Sequence, residues 1–135
     1  MGYKIDEIEG IGPAYRAKLE GAGINTTEDL LAKAAQRSGR NGLADETGIS
    51  EKLILGWANM ADLMRVSGVG PQFAELLEGS GVDTIKELRH RNAANLATKM
   101  NEVNGDKNLT NGQVSEAQVQ KWVDQAKELE PTISH

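Results

Sequence analysis

The chain contains no cysteine in its 135 residues. That excludes disulfides, zinc–thiolate sites and thiol nucleophiles together. Aromatic residues make up only 4% of the chain, so Leu, Ile, Val and Ala must fill most of any core. No apolar run approaches the roughly 18–20 residues that cross a bilayer. The opening "MGYKIDEIEG" carries acids where a secretory leader would have a basic head and then an apolar stretch. We expect a soluble, cytoplasmic protein with no membrane association. Histidine is scarce as well: His90 lies in a basic run and His135 is the last residue, and neither has the spacing of a metal-binding pair. There is no nucleophile elbow and no P-loop. The carboxylates are spread along helical patterns, where solvation or i, i+4 pairing is their usual role. No enzymatic activity, metal or cofactor is expected.

What is present is an ordinary globular composition, 39% apolar, with a formal net charge of −5. A chain of this length can bury a sizeable core. The acid excess argues against attachment to nucleic acid by bulk attraction, because domains that bind in that way are usually basic. A small local phosphate site remains compatible with it.

One stretch occurs twice. "IEGIGPAYRAKLEGAGINT" begins at Ile8 and "VSGVGPQFAELLEGSGVDT" begins at Val66, 58 residues later and without a gap. Gly10, Gly12, Pro13, Leu19, Glu20, Gly21, Gly23, Thr26 and Leu30 meet identical residues at this offset. Tyr15 meets Phe73, and Ile11 meets Val69. The likeness extends into the tail: Leu43, Ala44, Ser50, Glu51, Trp57 and Ala61 have counterparts in Leu96, Ala97, Ser115, Glu116, Trp122 and Ala126. The second copy carries an insert near 101–114, whose "NGDKNLTNG" reads as a polar surface loop. The chain therefore reads as a duplicated unit, with one copy over 1–61 and the other over 62–135.

No segment alternates with period two, so strands are not expected. Each unit reads as about four helices, which gives an all-α fold of two tandem units. The apolar junction "WANMADLMRVSG" lacks linker composition, and we expect the units to pack as one body. Pro13 suits a first helical position, and Gly21 or Gly23 suits the end of that helix. Thr26 or Thr27 caps the second helix, with Glu28 and Asp29 in its first turn. A short helix is expected around 43–47. Ser50 caps a fourth helix, where Leu53, Ile54 and Trp57 form an i, i+1, i+4 apolar stripe. The equivalent last helix starts near Ser115. Both Trp residues are expected to anchor the core.

In both copies an apolar residue between two glycines opens a helix. The glycines permit a tight turn, and the helix N-terminus behind it offers free N–H groups and a favourable dipole to an anion. This pattern resembles the helix-hairpin-helix family over residues 5–31 and 63–89. The resemblance implies two short helices joined by a loop whose backbone amides hold a DNA phosphate without reading sequence. It places those loops at Gly10, Ile11 and Gly12, and at Gly68, Val69 and Gly70. Arg16 and Lys18 follow the first loop as supporting cations, although Glu7 and Glu9 precede it. The second copy has Glu75 where the family prefers a small residue, at the position of Ala17. The tandem unit with its Trp helices also resembles an uncharacterised domain-of-unknown-function family over nearly the whole chain, and that likeness implies no activity.

Two basic clusters follow the turns: Lys33, Arg37 and Arg40, then Lys86, Arg89, His90 and Arg91. They read either as a flanking phosphate surface or as solvated helix faces. Separately, Ala44, Gly48, Ser50 and Ile54 have the spacing of a helix-turn-helix. The exposed start of its second helix, with Ser50, Glu51, Lys52, Leu55 and Gly56, lacks the Arg, Asn or Gln that reads base edges. The expected function is a non-catalytic binding module: weak, sequence-independent contact with nucleic acid through the turns. Its alternative is a protein-interaction scaffold in which the same glycines serve architecture alone.

Overall fold

A computed structural model describes residues 3–110 and 112–134. Among the described residues, a short 3-10 turn at Ile5–Glu7 is followed by eight helices: α1 (Pro13–Gly21), α2 (Thr27–Ala34), α3 (Arg37–Thr47), α4 (Glu51–Leu63), α5 (Pro71–Gly79), α6 (Ile85–Leu88), α7 (Ala93–Lys107) and α8 (Glu116–Glu128). Among the described residues there is no strand, only an isolated antiparallel bridge between Lys4 and Thr26. The protein is all-α. The chain forms two compact units, Met1–Asp62 with Thr132–His135, and Leu63–Pro131. The tail differs from the expected division: Ser134 N–H donates to the Ala35 carbonyl at 2.9 Å, and its hydroxyl lies 3.1 Å from Gln36 Oε1.

Local chemistry explains the helix starts. Pro13 and Pro71 each occupy the first turn of their helices, where a missing N–H costs nothing. Thr26, rather than Thr27, caps α2: its hydroxyl accepts Asp29 N–H at 3.1 Å. Asp29 returns the bond by accepting Thr26 N–H at 3.1 Å, and it also accepts Asn25 N–H at 3.0 Å. The Asn25 bond foremost, with the Thr26 bonds, holds the Asp29 carboxyl below its ordinary pKa, against the opposing effect of burial. Thr27 serves elsewhere, accepting Tyr3 N–H at 3.1 Å. Thr84, Ser50 and Ser115 cap α6, α4 and α8 in the same manner, at 3.1–3.3 Å.

Two expectations are corrected. The short helix at 43–47 begins earlier, at Arg37, and crosses close to α2 at Gly39. A Cβ there would collide with the Lys33 carbonyl, so the two helix backbones meet where only a hydrogen fits. The insert near 101–114 is half helix, because α7 runs on to Lys107. The remainder is fastened to α7 by two asparagines one turn apart. Asn101 exchanges a pair of bonds with Val114 N–H and C=O at 2.7 and 3.0 Å. Asn104 binds Thr110 N–H and C=O at 2.8 and 3.1 Å. Asn111 lies outside the described residues.

Leu19, Leu30, Leu43 and Ile54 are fully buried in the first unit, and Leu77, Val82, Ile85 and Leu88 in the second. Each such side chain contributes roughly 1.5–3 kcal/mol. Leu53, one member of the expected stripe, is 40% exposed. The stripe on α4 is therefore narrower than its sequence spacing suggests.

Candidate functional site

The two glycine turns share their geometry at the 58-residue offset. Gly10 has φ +95° and Gly68 φ +91°, a conformation other residues adopt only with strain. The next apolar residue is buried in both, Ile11 and Val69. Its N–H closes the turn: Ile11 donates to the Ile8 carbonyl at 3.2 Å and Val69 to the Val66 carbonyl at 3.0 Å. So the central amide of each expected phosphate loop is already engaged. Gly12 and Gly70 are the N-caps, in extended backbone with φ −87° and −91°. Their carbonyls accept the first helical bonds, from Arg16 and Ala74, both at 2.9 Å.

Free donors are left on one side of each turn. The N–H groups of Gly12, Ala14 and Tyr15 precede the first helical bond, as do those of Gly70, Gln72 and Phe73. Among the described residues no hydrogen bond occupies the N–H of Gly10 or Gly12. Gly10, Gly12 and Gly68 are exposed, while Gly70 is half-buried.

A tryptophan stands behind each turn. A Cβ added at Gly10 would lie 3.4 Å from Trp57 Nε1, and one at Gly68 would lie 3.2 Å from Trp122 Nε1. Both rings are buried, 4% and 2% exposed. Each packs on the aromatic residue of the helix its turn opens: Trp57 on Tyr15 and Trp122 on Phe73, with centroids 5.1 Å apart in both pairs. Such pairs contribute about 0.5–1.5 kcal/mol beyond area burial. The tryptophans were expected as core anchors, and they are. Their proximity to the glycines was not anticipated; the one hint was the shared seven-residue step from Ser50 to Trp57 and from Ser115 to Trp122.

The expected cations fare unevenly. Arg16 is bound to Glu20 at 3.2 Å and Asp6 at 3.3 Å. The bond to Glu20 and the charges of both acids raise its pKa further, so its charge is locally compensated. Lys18 lines an open recess of about 260 Å³ with Gly21, Ala22 and Glu46, toward the end of α1 away from the turn. Arg40 departs most from the expected surface role. It is 1% exposed, donating to Glu51 at 3.0 Å, to the Ala34 and Ala35 carbonyls at 3.1 and 3.0 Å, and to the Ser134 carbonyl at 2.6 Å. Arg89 donates to the Lys127 carbonyl near the end of α8 at 2.9 Å. Arg91 donates to Glu87 at 3.1 Å and the Gly81 carbonyl at 2.8 Å. Lys33, Arg37 and Lys86 are exposed, and among the described residues no ion pair holds them. The arginines of both clusters are thus largely structural.

Around the second turn, Ser67 N–H donates to Gln125 Oε1 at 2.9 Å, tying the turn to α8. His90 is exposed and His135 lies outside the described residues. Among the described residues no three His, Cys, Asp or Glu side chains gather as metal ligands, and no helix is long and apolar enough to cross a membrane. The helix-turn-helix spacing does form a turn, with Gly48 left-handed at φ +74° ending α3. Glu51, at the start of its second helix, is committed to Arg40.

Residues 9–129 match a family described as a domain of unknown function, DUF4332. The chain belongs to this family. The matched region starts one residue before Gly10 and takes in both glycine turns and both tryptophan helices. No curated protein and no solved structure matches the chain.

Proposed function

We propose that this DUF4332 chain is a non-catalytic binding module whose two glycine turns act as helix-hairpin-helix loops, holding phosphate groups of a nucleic-acid backbone without reading sequence. The observation that carries this reading is the set of unoccupied N–H donors at Gly10 and Gly12, on an exposed turn at the start of a nine-residue helix. Those donors and the helix dipole suit an anion. The turn recurs with nearly the same dihedrals at Gly68 and Gly70, so two phosphates can be held by one chain. With Arg16 compensated and Arg40 buried, few counterions are displaced, and the binding is weak.

Those same compensated arginines favour a second reading, a protein-interaction scaffold that keeps the turns for architecture. Fluorescence anisotropy with labelled single- and double-stranded oligonucleotides, at about 20–50 mM salt, separates the two. The phosphate reading predicts saturable binding that weakens as salt is raised. Absence of binding at tens of micromolar protein would contradict it and leave the scaffold.

A further inference from the structure

The geometry points to the indole N–H groups of Trp57 and Trp122 as the side-chain donors of the two turn sites, each completing an oxyanion cradle with the backbone amides of Gly10 and Gly12 or of Gly68 and Gly70. This rests on the phosphate reading above and assigns it a side chain. A buried indole ordinarily finds a partner for its N–H. Here both rings are more than nine-tenths buried, yet among the described residues no hydrogen bond engages either N–H, and neither nitrogen is itself sealed from solvent. Both nitrogens lie against the glycine of a turn whose two glycine N–H groups are also free.

The glycines acquire a second role in consequence. At φ +95° and +91° they allow the turn. With Cβ positions only 3.4 and 3.2 Å from the indole nitrogens, they also leave those N–H groups uncovered. An indole is a neutral donor that never accepts. It adds affinity for a phosphate oxygen without adding charge, which suits a protein of net charge −5 whose Arg16 is already paired.

The test is a 1H–15N titration of the full chain with inorganic phosphate at constant ionic strength, chloride replacing phosphate in the control, and a second arm with a short oligonucleotide. Two tryptophans give two indole cross-peaks, assigned by Trp57→Phe. Both indole peaks should shift with the same midpoint as the amides of Gly10, Gly12, Gly68 and Gly70. A response in both arms identifies a backbone phosphate, and a response to inorganic phosphate alone identifies a free one; each upholds the indole donors. In the Trp57→Phe chain, affinity at the first turn should fall about tenfold, the loss of one hydrogen bond to a charged acceptor. The second turn should be unchanged and serves as the internal control for folding. Glycine amides that shift while both indoles stay still would overturn the indole assignment and leave the phosphate reading standing. If neither amides nor indoles respond to either probe, the phosphate reading falls and the indole assignment with it.

Discussion

The indole nitrogen of Trp57 sits 3.4 Å from the point where a side chain on Gly10 would begin. The pairing joins the first turn of its unit to the last helix, α4, and Trp122 repeats it at Gly68 on α8 with 3.2 Å. Each glycine is thus constrained twice, by its positive φ and by the ring behind it. Gly10→Ala should cost about 1–3 kcal/mol of unfolding free energy. Gly68→Ala should cost at least as much, since its neighbour stands closer. Urea denaturation of both variants measures this, and a cost near zero at either would show that the turn relaxes freely.

Gly39 and Gly42 lie in the same helix with opposite surroundings. A Cβ at Gly39 would run into the Lys33 carbonyl, a backbone atom that cannot swing aside, whereas one at Gly42 meets nothing within 4 Å. Gly39→Ala should force α2 and α3 apart and destabilise by about 3 kcal/mol or more. Gly42→Ala should stabilise by roughly 0.5–1 kcal/mol through lower backbone entropy in the unfolded chain. Thermal melts of the two variants should move in opposite directions.

Arg40 is a buried cation that gathers three backbone carbonyls and a carboxylate. Arg40→Ala removes the donor from Glu51 and leaves the Ala34 and Ser134 carbonyls without it, while Ala35 keeps the Ser134 N–H, and should cost about 3–5 kcal/mol. Arg40→Lys should recover little of it, because an ammonium cannot reproduce the planar fork. If Arg40 instead served a ligand at the surface, both variants would melt like the wild type and lose only binding.

Asp29 gives the first unit a defined acid sensitivity. Its carboxyl titrates below the ordinary value when folded, so between the two values the unfolded chain binds more protons. The stabilisation is fully present above the unfolded value of about 3.9 and is lost as pH falls through the folded one. Asp29→Asn should lower the urea midpoint at neutral pH and flatten its decline below about pH 4. Parallel declines in variant and wild type would show that other carboxylates dominate acid unfolding.

Much of the helical frame was legible because it rests on short-range chemistry. Pro13 and Pro71, the caps Thr26, Ser50 and Ser115, and the spacing of Leu19 and Leu30 each act within a turn or two of their own position. What escaped depends on distant or competing partners. Arg40 reads as a surface cation in "AAQRSGRNG" because one of its acceptors, the Ser134 carbonyl, lies 94 residues away. The start of the insert, "NEVNGDK", reads as a turn because of its Asn-Gly pair. Asn101 and Asn104 instead spend their side chains on the backbone of 110–114, and α7 continues beneath it. For the candidate site, sequence located the glycines but named Ile11 and Val69 as donors, whose amides close the turn. Arg16 could have been suspected from Glu20 at i+4; Asp6 could not.

The claim that backbone N–H groups of the turns hold the phosphate is tested most directly by deleting one at each. Gly12 and Gly70 have φ −87° and −91° in extended backbone, a modest shift of roughly 20–25° from the proline value, and a Cβ at Gly12 meets nothing within 4 Å. Gly12→Ala/Gly70→Ala keeps both amides, while Gly12→Pro/Gly70→Pro removes them. In oligonucleotide anisotropy titrations at low salt, the alanine pair should bind like the wild type. The proline pair, folded by circular dichroism, should bind at least about tenfold more weakly. Equal affinity in the two variants would contradict the account.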